Sequence, residues 1–253
     1  MSFAKHFVWG VTLVIGVAHS GISLASSQLV PQDLYTKSVT IFTHDNMSFV
    51  VDSEIFYGEE LSESRSFMIA SKKQDEQNSS MLIRFVAPQG IKCTAVLMNK
   101  SDEDLMRYVY FPSLKRVRVI PDSDKQKEVL GMGVSYEEMT QPKGIFEPVT
   151  EVLVDGQTFL KLVLIDQTKK TIFWISPNEF NLKKIQVFKE GVMQKEVLVD
   201  DIRTVFNEKV IFAWKIQDFM KQKTVSYRIK EESVSNQIDD SLFHKNRLKR
   251  CIY

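Results

Sequence analysis

From residue 48 onward, apolar side chains recur at every second position in one short run after another, and this pattern excludes most folds open to a chain of 253 residues. Phe49, Val51 and Ile55 alternate with Val50, Asp52 and Glu54, and residues 66–70, 81–86 and 94–98 follow with one apolar and one mixed set each. Polar turns separate the runs: Gly58-Glu59-Glu60, residues 72–80, and Pro88-Gln89-Gly90. Residues 158–165, 171–175, 183–188 and 194–199 repeat the habit, the last two joined by Glu190-Gly191, a pair suited to a hairpin. Val210, Phe212, Trp214 and Ile216, then Val225, Tyr227 and Ile229, complete the series. A period of two sends alternate side chains to opposite faces of a sheet, and no intervening helical stretch offers a crossover to a parallel strand. The expectation is a curled antiparallel meander of roughly eleven strands with few helices.

Helices are predicted at the two ends. Pro31 and Asp33 precede Leu34, Val39, Ile41 and Phe42, so a helix starts there with Asp33 as its cap, and His44 and Asp45 close it. From Asp239 a short helix carries Leu242, Phe243 and Leu248, with Lys249 and Arg250 near its end.

Residues 107–139 stand apart from the plain alternation. An aromatic strand with Tyr108, Tyr110 and Phe111 stops at Pro112, which has no N–H to give a ladder. A basic strand follows, with Lys115, Arg116 and Arg118 among Leu114, Val117, Val119 and Ile120. Beyond Pro121 a charged connection leads through Gly131-Met132-Gly133 into Ser135-Tyr136-Glu137-Glu138.

The amino terminus has a different character. Lys5 and His6 form a short positive region, residues 7–18 are apolar, and Ser23-Leu24-Ala25 is a small-x-small site. Those parts in that order predict a secretory signal peptide over residues 1–25, cleaved near Ala25, ahead of one domain over residues 26–253. The apolar run of about a dozen residues falls short of the roughly 20 that span a bilayer. Export makes a disulfide chemically possible. The strand-like setting of Cys93 and the terminal position of Cys251 are read as two unpaired thiols. A formal charge of +1 supplies no field to attract nucleic acid, so no nucleic-acid partner is expected.

Catalysis and metal binding find little material. Beyond the predicted signal peptide only His44 and His244 remain, in different predicted elements, so no catalytic residue, metal site or cofactor is assigned. Glu137 and Glu138 are adjacent and lack the spacing of a tuned carboxylate pair.

The stretch from Tyr110-Phe111-Pro112 through Lys115-Arg116-Val117-Arg118-Val119-Ile120 to Leu130-Gly131-Met132-Gly133-Val134-Ser135-Tyr136-Glu137-Glu138 resembles the outer-membrane lipoprotein-sorting family, the LolA-like periplasmic carriers. The similarity is to the branch found beside exporters of the resistance-nodulation-division type. Phe85-Val86-Ala87-Pro88, Ile91-Lys92-Cys93-Thr94, Lys223-Thr224 and residues 238–243 resemble further family motifs. The sequence departs from the pattern at Val119, where the family has a second Arg, at Met132-Gly133, where it has Ser-Asp, and at Cys93, where it has Gly. The resemblance implies a mainly β (α+β) fold: a large antiparallel sheet curled into an unclosed half-barrel packed on a few helices.

It also implies a periplasmic, monomeric carrier without enzymatic activity. Such a carrier holds the acyl chains of a lipid or lipoprotein in an apolar concavity and moves them towards the outer membrane, with an inner-membrane exporter or outer-membrane acceptor as partner. Tyr108, Tyr110, Phe173, Phe212 and Trp214 are the candidate cavity residues, and the same residues also fit an ordinary filled core. Lys115, Arg116 and Arg118 either meet polar head groups or a partner at the mouth, or form a solvated strand face. The alternative on the same fold is a non-catalytic periplasmic sensor or adaptor that binds a protein.

Overall fold

Period-two alternation becomes one antiparallel sheet of fourteen strands among the residues that the computed structural model describes: 29–39, 44, 46–75, 77–102, 104–139 and 143–252. The predicted signal peptide, and Ile41, Phe42 and Asp45 at the end of the predicted first helix, lie outside those residues. The strands are β1 (Asn46–Tyr57), β2 (Glu60–Lys73), β3 (Ser79–Ala87), β4 (Ala95–Ser101), β5 (Asp104–Phe111), β6 (Arg116–Val119) and β7 (Ile145–Phe146). They continue as β8 (Thr150–Val154), β9 (Gln157–Asp166), β10 (Lys169–Ile175), β11 (Leu182–Lys189), β12 (Val192–Val205), β13 (Glu208–Asp218) and β14 (Lys223–Ile229).

The order across the sheet is β6-β5-β4-β3-β2-β1-β14-β13-β12-β11-β10-β9-β7, with β8 also paired to β9. Pairing of β1 with β14 joins the two halves of the chain in the middle, and β6 and β7 end the sheet unclosed. The result is the expected curled, open half-barrel. The strands beyond the predicted set are β7 and β8. Ile145 and Leu153 there are 79% and 73% exposed, so these edge strands carry no buried alternation to detect. Gly144 makes the β7 pairing possible, because a Cβ at that position would sit 2.5 Å from the Ile165 carbonyl oxygen.

Register shows which side chains share a face. Leu162, Phe173, Ile185, Val197, Ile216, Val225 and Ile55 stand opposite one another in turn from β9 to β1, forming one apolar row on the inner face. Phe49, Ile69, Ile83, Val96 and Val109 make a second inner row from β1 to β5. The single α-helix among the described residues, α1 (Pro31–Val39), covers the β9–β11 end of this face through Leu34 and Tyr35. The Tyr35 ring lies 5.3 Å from both Phe146 and Phe173. Pro31 opens the helix, where its missing N–H costs nothing, and Asp33 sits within the first turn, one turn later than the cap predicted for it.

On the outer face, over β2 to β6, Met68, Ala70, Leu82, Leu97 and Tyr110 form an apolar patch. The carboxy terminus covers it with two 3-10 turns, Asp240–Phe243 and Lys245–Lys249, in place of the predicted continuous helix. The predicted cap is present: Asp239 accepts a hydrogen bond from the Ser241 amide at 2.8 Å. Phe243 and Leu248 bury themselves on this patch.

That docking overturns the reading of the cysteines. Cys93 and Cys251 form a disulfide, with their Cα atoms 5.2 Å apart. The carboxy-terminal chain runs back over β3 and β4, where the Ile252 carbonyl also accepts from the buried Arg84 guanidinium. The sequence separation of 158 residues hid the approach. Cross-linking across so long a stretch restricts the unfolded chain, so Cys251→Ser should cost about 2–4 kcal/mol. Urea unfolding of that variant, and of the unmodified protein with and without reductant, checks this; equal midpoints would count against it.

Candidate functional site

The inner face between α1 and β6 is covered by a segment that belongs to no strand, residues 120–139. Its start is fixed where the Ile120 amide donates to the Arg107 carbonyl at 2.9 Å and the Arg107 guanidinium reaches Asp122 at 3.0 Å. The segment then folds tightly on itself. The Val129 amide donates to Val134 at 2.8 Å, and Leu130, Gly131 and Gly133 turn the chain with positive φ angles. Gly133 has a second reason to lack a side chain: a Cβ would lie 3.4 Å from both Ile216 and Val225 on the sheet. Ile120, Val129, Met132 and Tyr136 thereby enter the same buried cluster as Phe67, Phe85, Phe212 and Tyr227.

Polar groups pin this apolar plug to the strands beneath it. Lys223, 3% exposed on β14, donates to the Glu128 carboxylate and to the Gly131 carbonyl. Glu128 also accepts from Lys221 at 2.8 Å and from the Gly133 amide at 2.6 Å. Burial acts to raise its pKa, but the two lysines and the amide outweigh it and hold the group at about 2. The Tyr227 hydroxyl donates to the Met132 carbonyl, and the Arg65 guanidinium to the Leu130 carbonyl.

Ser135 and Glu138 form a reciprocal box. The Ser135 amide donates to the Glu138 carboxylate at 2.9 Å, and the Glu138 amide to the Ser135 hydroxyl at 3.1 Å. Glu138 also pairs with Lys195 at 2.7 Å, which with that amide keeps its pKa low despite burial. The Ser-x-x-Glu spacing is the sequence signal for this box. Glu137 pairs separately with Lys125 at 3.4 Å.

The five apolar candidates do not converge. Phe212 and Trp214 lie on the inner face under the plug, with Trp214 stacked on Tyr227 at 4.7 Å. Phe173 is on the same face farther along, beneath α1. Tyr108 and Tyr110 point to the outer face and pack with Phe243 and Leu248. Of the basic candidates, Arg116 and Arg118 stand opposite Phe111 and Val109 and share their inner side, at the exposed rim of β6. Lys115 precedes the strand in a left-handed conformation.

At the margin of the plug a cavity of about 710 Å³ opens between the loop before β4 and the turn after β5. Arg65, Phe85, Ile91, Lys92, Phe111 and Leu130 line it. The sequence pattern did not single it out, because its wall comes from four separated stretches of chain.

Comparisons place this architecture among solved structures. A provisionally named outer membrane lipoprotein-sorting protein domain from Vibrio parahaemolyticus is similar at a TM-score of 0.75 and 18% identity, over 87% of this chain and 96% of that one. A DUF1329 family protein from Desulfovibrio piger gives 0.75 and 16%, over 86% and 97%. A LolA superfamily protein from Nitrosomonas europaea gives 0.67 and 16%, over 86% and 99%. The fold is therefore LolA-like, as the sequence resemblance implied. A family model described as an uncharacterized protein matches residues 77–250. Among curated proteins nothing matches.

The Glu128 pins have a testable pH signature. A carboxyl whose folded pKa is lowered from 4.5 to about 2 contributes stability above its ordinary pKa and loses it as pH falls through that interval. Glu128→Gln should remove on the order of 2 kcal/mol at neutral pH, allowing for partial solvent screening, and flatten the acid loss below pH 4.5. Urea unfolding of both proteins at neutral and acid pH measures it; parallel pH profiles would refute the assignment.

Proposed function

We propose a carrier role for this chain, which belongs to the uncharacterized protein family matched over residues 77–250 and has a LolA-like fold. In this reading the mature protein is an exported, monomeric, non-catalytic periplasmic protein. It shields the acyl chains of a lipid or lipoprotein from water on their way towards the outer membrane. An inner-membrane exporter and an outer-membrane acceptor are the partners such a route needs.

The observation that carries the reading is the covered inner face. Its apolar rows span the sheet, and between α1 and β6 they are closed by a strandless segment, not by a second sheet or a helix layer. Each methylene moved from water to such a face gains about 0.8 kcal/mol. An acyl chain can take over the apolar contacts of Val129, Met132 and Tyr136 there, because it offers the sheet the same kind of surface, and it does so against the polar pins that hold them. Phe212 and Trp214 are the inner-face residues proposed to meet it, with Phe173 at the α1 end. Closure of the face by the protein's own residues also favours a second reading, in which the fold carries nothing and serves as an adaptor for a protein partner.

Lipid extraction and mass spectrometry of protein purified from its native compartment separate the two. The carrier reading expects co-purified lipid and uptake of a fluorescent acyl probe, with a change in Trp214 emission as its stacking partner Tyr227 is uncovered. Trp214→Asp should reduce uptake at least tenfold, since a charge on an apolar contact surface costs several kcal/mol. Persistently empty protein with no probe uptake would leave the adaptor.

A further inference from the structure

The cavity beside the plug differs from the inner face in one respect that bears on what the protein holds. Its wall mixes apolar and polar residues, and its charged lining residues, Arg65 and Lys92, are both cationic. Phe85, Ile91, Phe111 and Leu130 supply the apolar side. Arg65 and Lys92 supply the charge. The Arg65 guanidinium lies 5.9 Å over the Phe85 ring and is offset by Glu63 at 2.6 Å, while its Nε is buried with no acceptor among the described residues. Lys92 is exposed at the rim and forms no ion pair among the described residues. Arg116, opposite Phe111 across the β5–β6 pair, extends the positive rim.

We propose that this cavity binds the head of a single-chain amphiphile with an anionic oxygen group. The head lies between Arg65 and Lys92, and the chain runs from Phe85 and Phe111 towards Leu130 and the plug. The inference rests on the carrier reading and narrows it. A volume of about 710 Å³ is of the size that holds one small-molecule ligand, so the cavity selects a single-chain acid over a bulky multi-chain head. Charge complementarity sets the sign: a carboxylate or phosphate monoester gains charge-assisted hydrogen bonds here, and a cationic head meets repulsion. Arg65 links the two parts of the site, because the same guanidinium that faces the cavity holds the Leu130 carbonyl of the plug.

The test uses the purified protein with its disulfide formed and three chain-matched pyrene probes: a fatty acid, its methyl ester and the corresponding alkylamine. The acid should bind at least about tenfold more tightly than either of the others, the factor that one charge-assisted contact supplies. Lys92→Gln should bring acid and ester closer together while leaving ester binding unchanged. Gly90→Trp should block the cavity and abolish acid binding. A Cβ at Gly90 meets nothing within 4 Å and needs no left-handed backbone, so the backbone there accepts a side chain. Ser113→Trp, on the opposite wall and exposed, is the second blocking variant, used if the first loses its folded circular dichroism spectrum.

Equal binding of all three probes would overturn the head-group site and leave the carrier reading standing. Tight acid binding untouched by a folded blocking variant would also overturn it, by placing the acid elsewhere. Displacement of the acid by inorganic phosphate alone would show a free-oxyanion site and refute the amphiphile. Failure of every probe to bind would remove this proposal and the carrier reading together.

Discussion

An open sheet with two apolar faces cannot stay exposed to water, and how each face is covered determines the rest of this structure. The outer patch is small, and the carboxy-terminal turns seal it with Phe243 and Leu248 under a covalent lock. The inner face is larger. It divides between α1, which covers β9 to β11 through ordinary side-chain packing, and residues 120–139, which cover the rest. The second cover is held differently from the first. Beside the apolar contacts of Ile120, Val129, Leu130, Met132, Val134, Tyr136 and Met139, it has polar attachments: Glu128 to Lys223 and Lys221, Glu138 to Lys195, and backbone carbonyls to Arg65 and Tyr227. The buried pair of Lys223 with Glu128 adds stability only beyond what its desolvation offsets. What it does fix is where the segment sits, since either partner alone would be left buried and uncompensated.

Several independent features meet at the corner beside β6. The disulfide joins the loop that lines the cavity to the carboxy-terminal chain, so the cavity wall is tied to the seal on the outer face. Phe111 closes the cavity on one side and brings Arg116 to its rim through the β5–β6 register. Pro112 stops β5 and starts the short turn Pro112–Leu114 that makes the opposite lip. The corner is thus rigid on three sides and bounded on the fourth by the plug.

How much of this was legible in the sequence depends on the range over which each feature is encoded. Alternation is local, so the strands, the antiparallel sheet and the Glu190-Gly191 turn could be read directly, the latter with both residues at positive φ. Which face a strand residue takes is decided by register with its neighbours. Tyr108 and Tyr110 looked equivalent to Phe212 and Trp214 in the sequence, yet pairing sends the two pairs to opposite sides of the sheet. The Cys93–Cys251 bond is a tertiary fact with no local sign. The stretch beyond Pro121 was visible as a charged connection through Gly131-Met132-Gly133, but not as the filling of the inner face. Its contacts run to β2, β12, β13 and β14, all distant in sequence. The Ser135–Glu138 box is local and legible in the Ser-x-x-Glu spacing.

The composition of the plug explains how one face can be both stable when empty and available when needed. A permanently open apolar face of this size would drive association between copies. A cover made of apolar contacts alone would compete with any acyl chain on equal terms and yield only to a better fit. Here the polar pins carry much of the positioning. A ligand therefore shifts the balance by the difference between its own contacts and those of the apolar side chains it replaces, plus whatever it does to the pins. An anionic head beside Arg65 acts on a pin directly, because it offers the guanidinium an acceptor in competition with the Leu130 carbonyl. Chain and head then push the equilibrium the same way: one replaces the apolar cover, and the other weakens what holds it down.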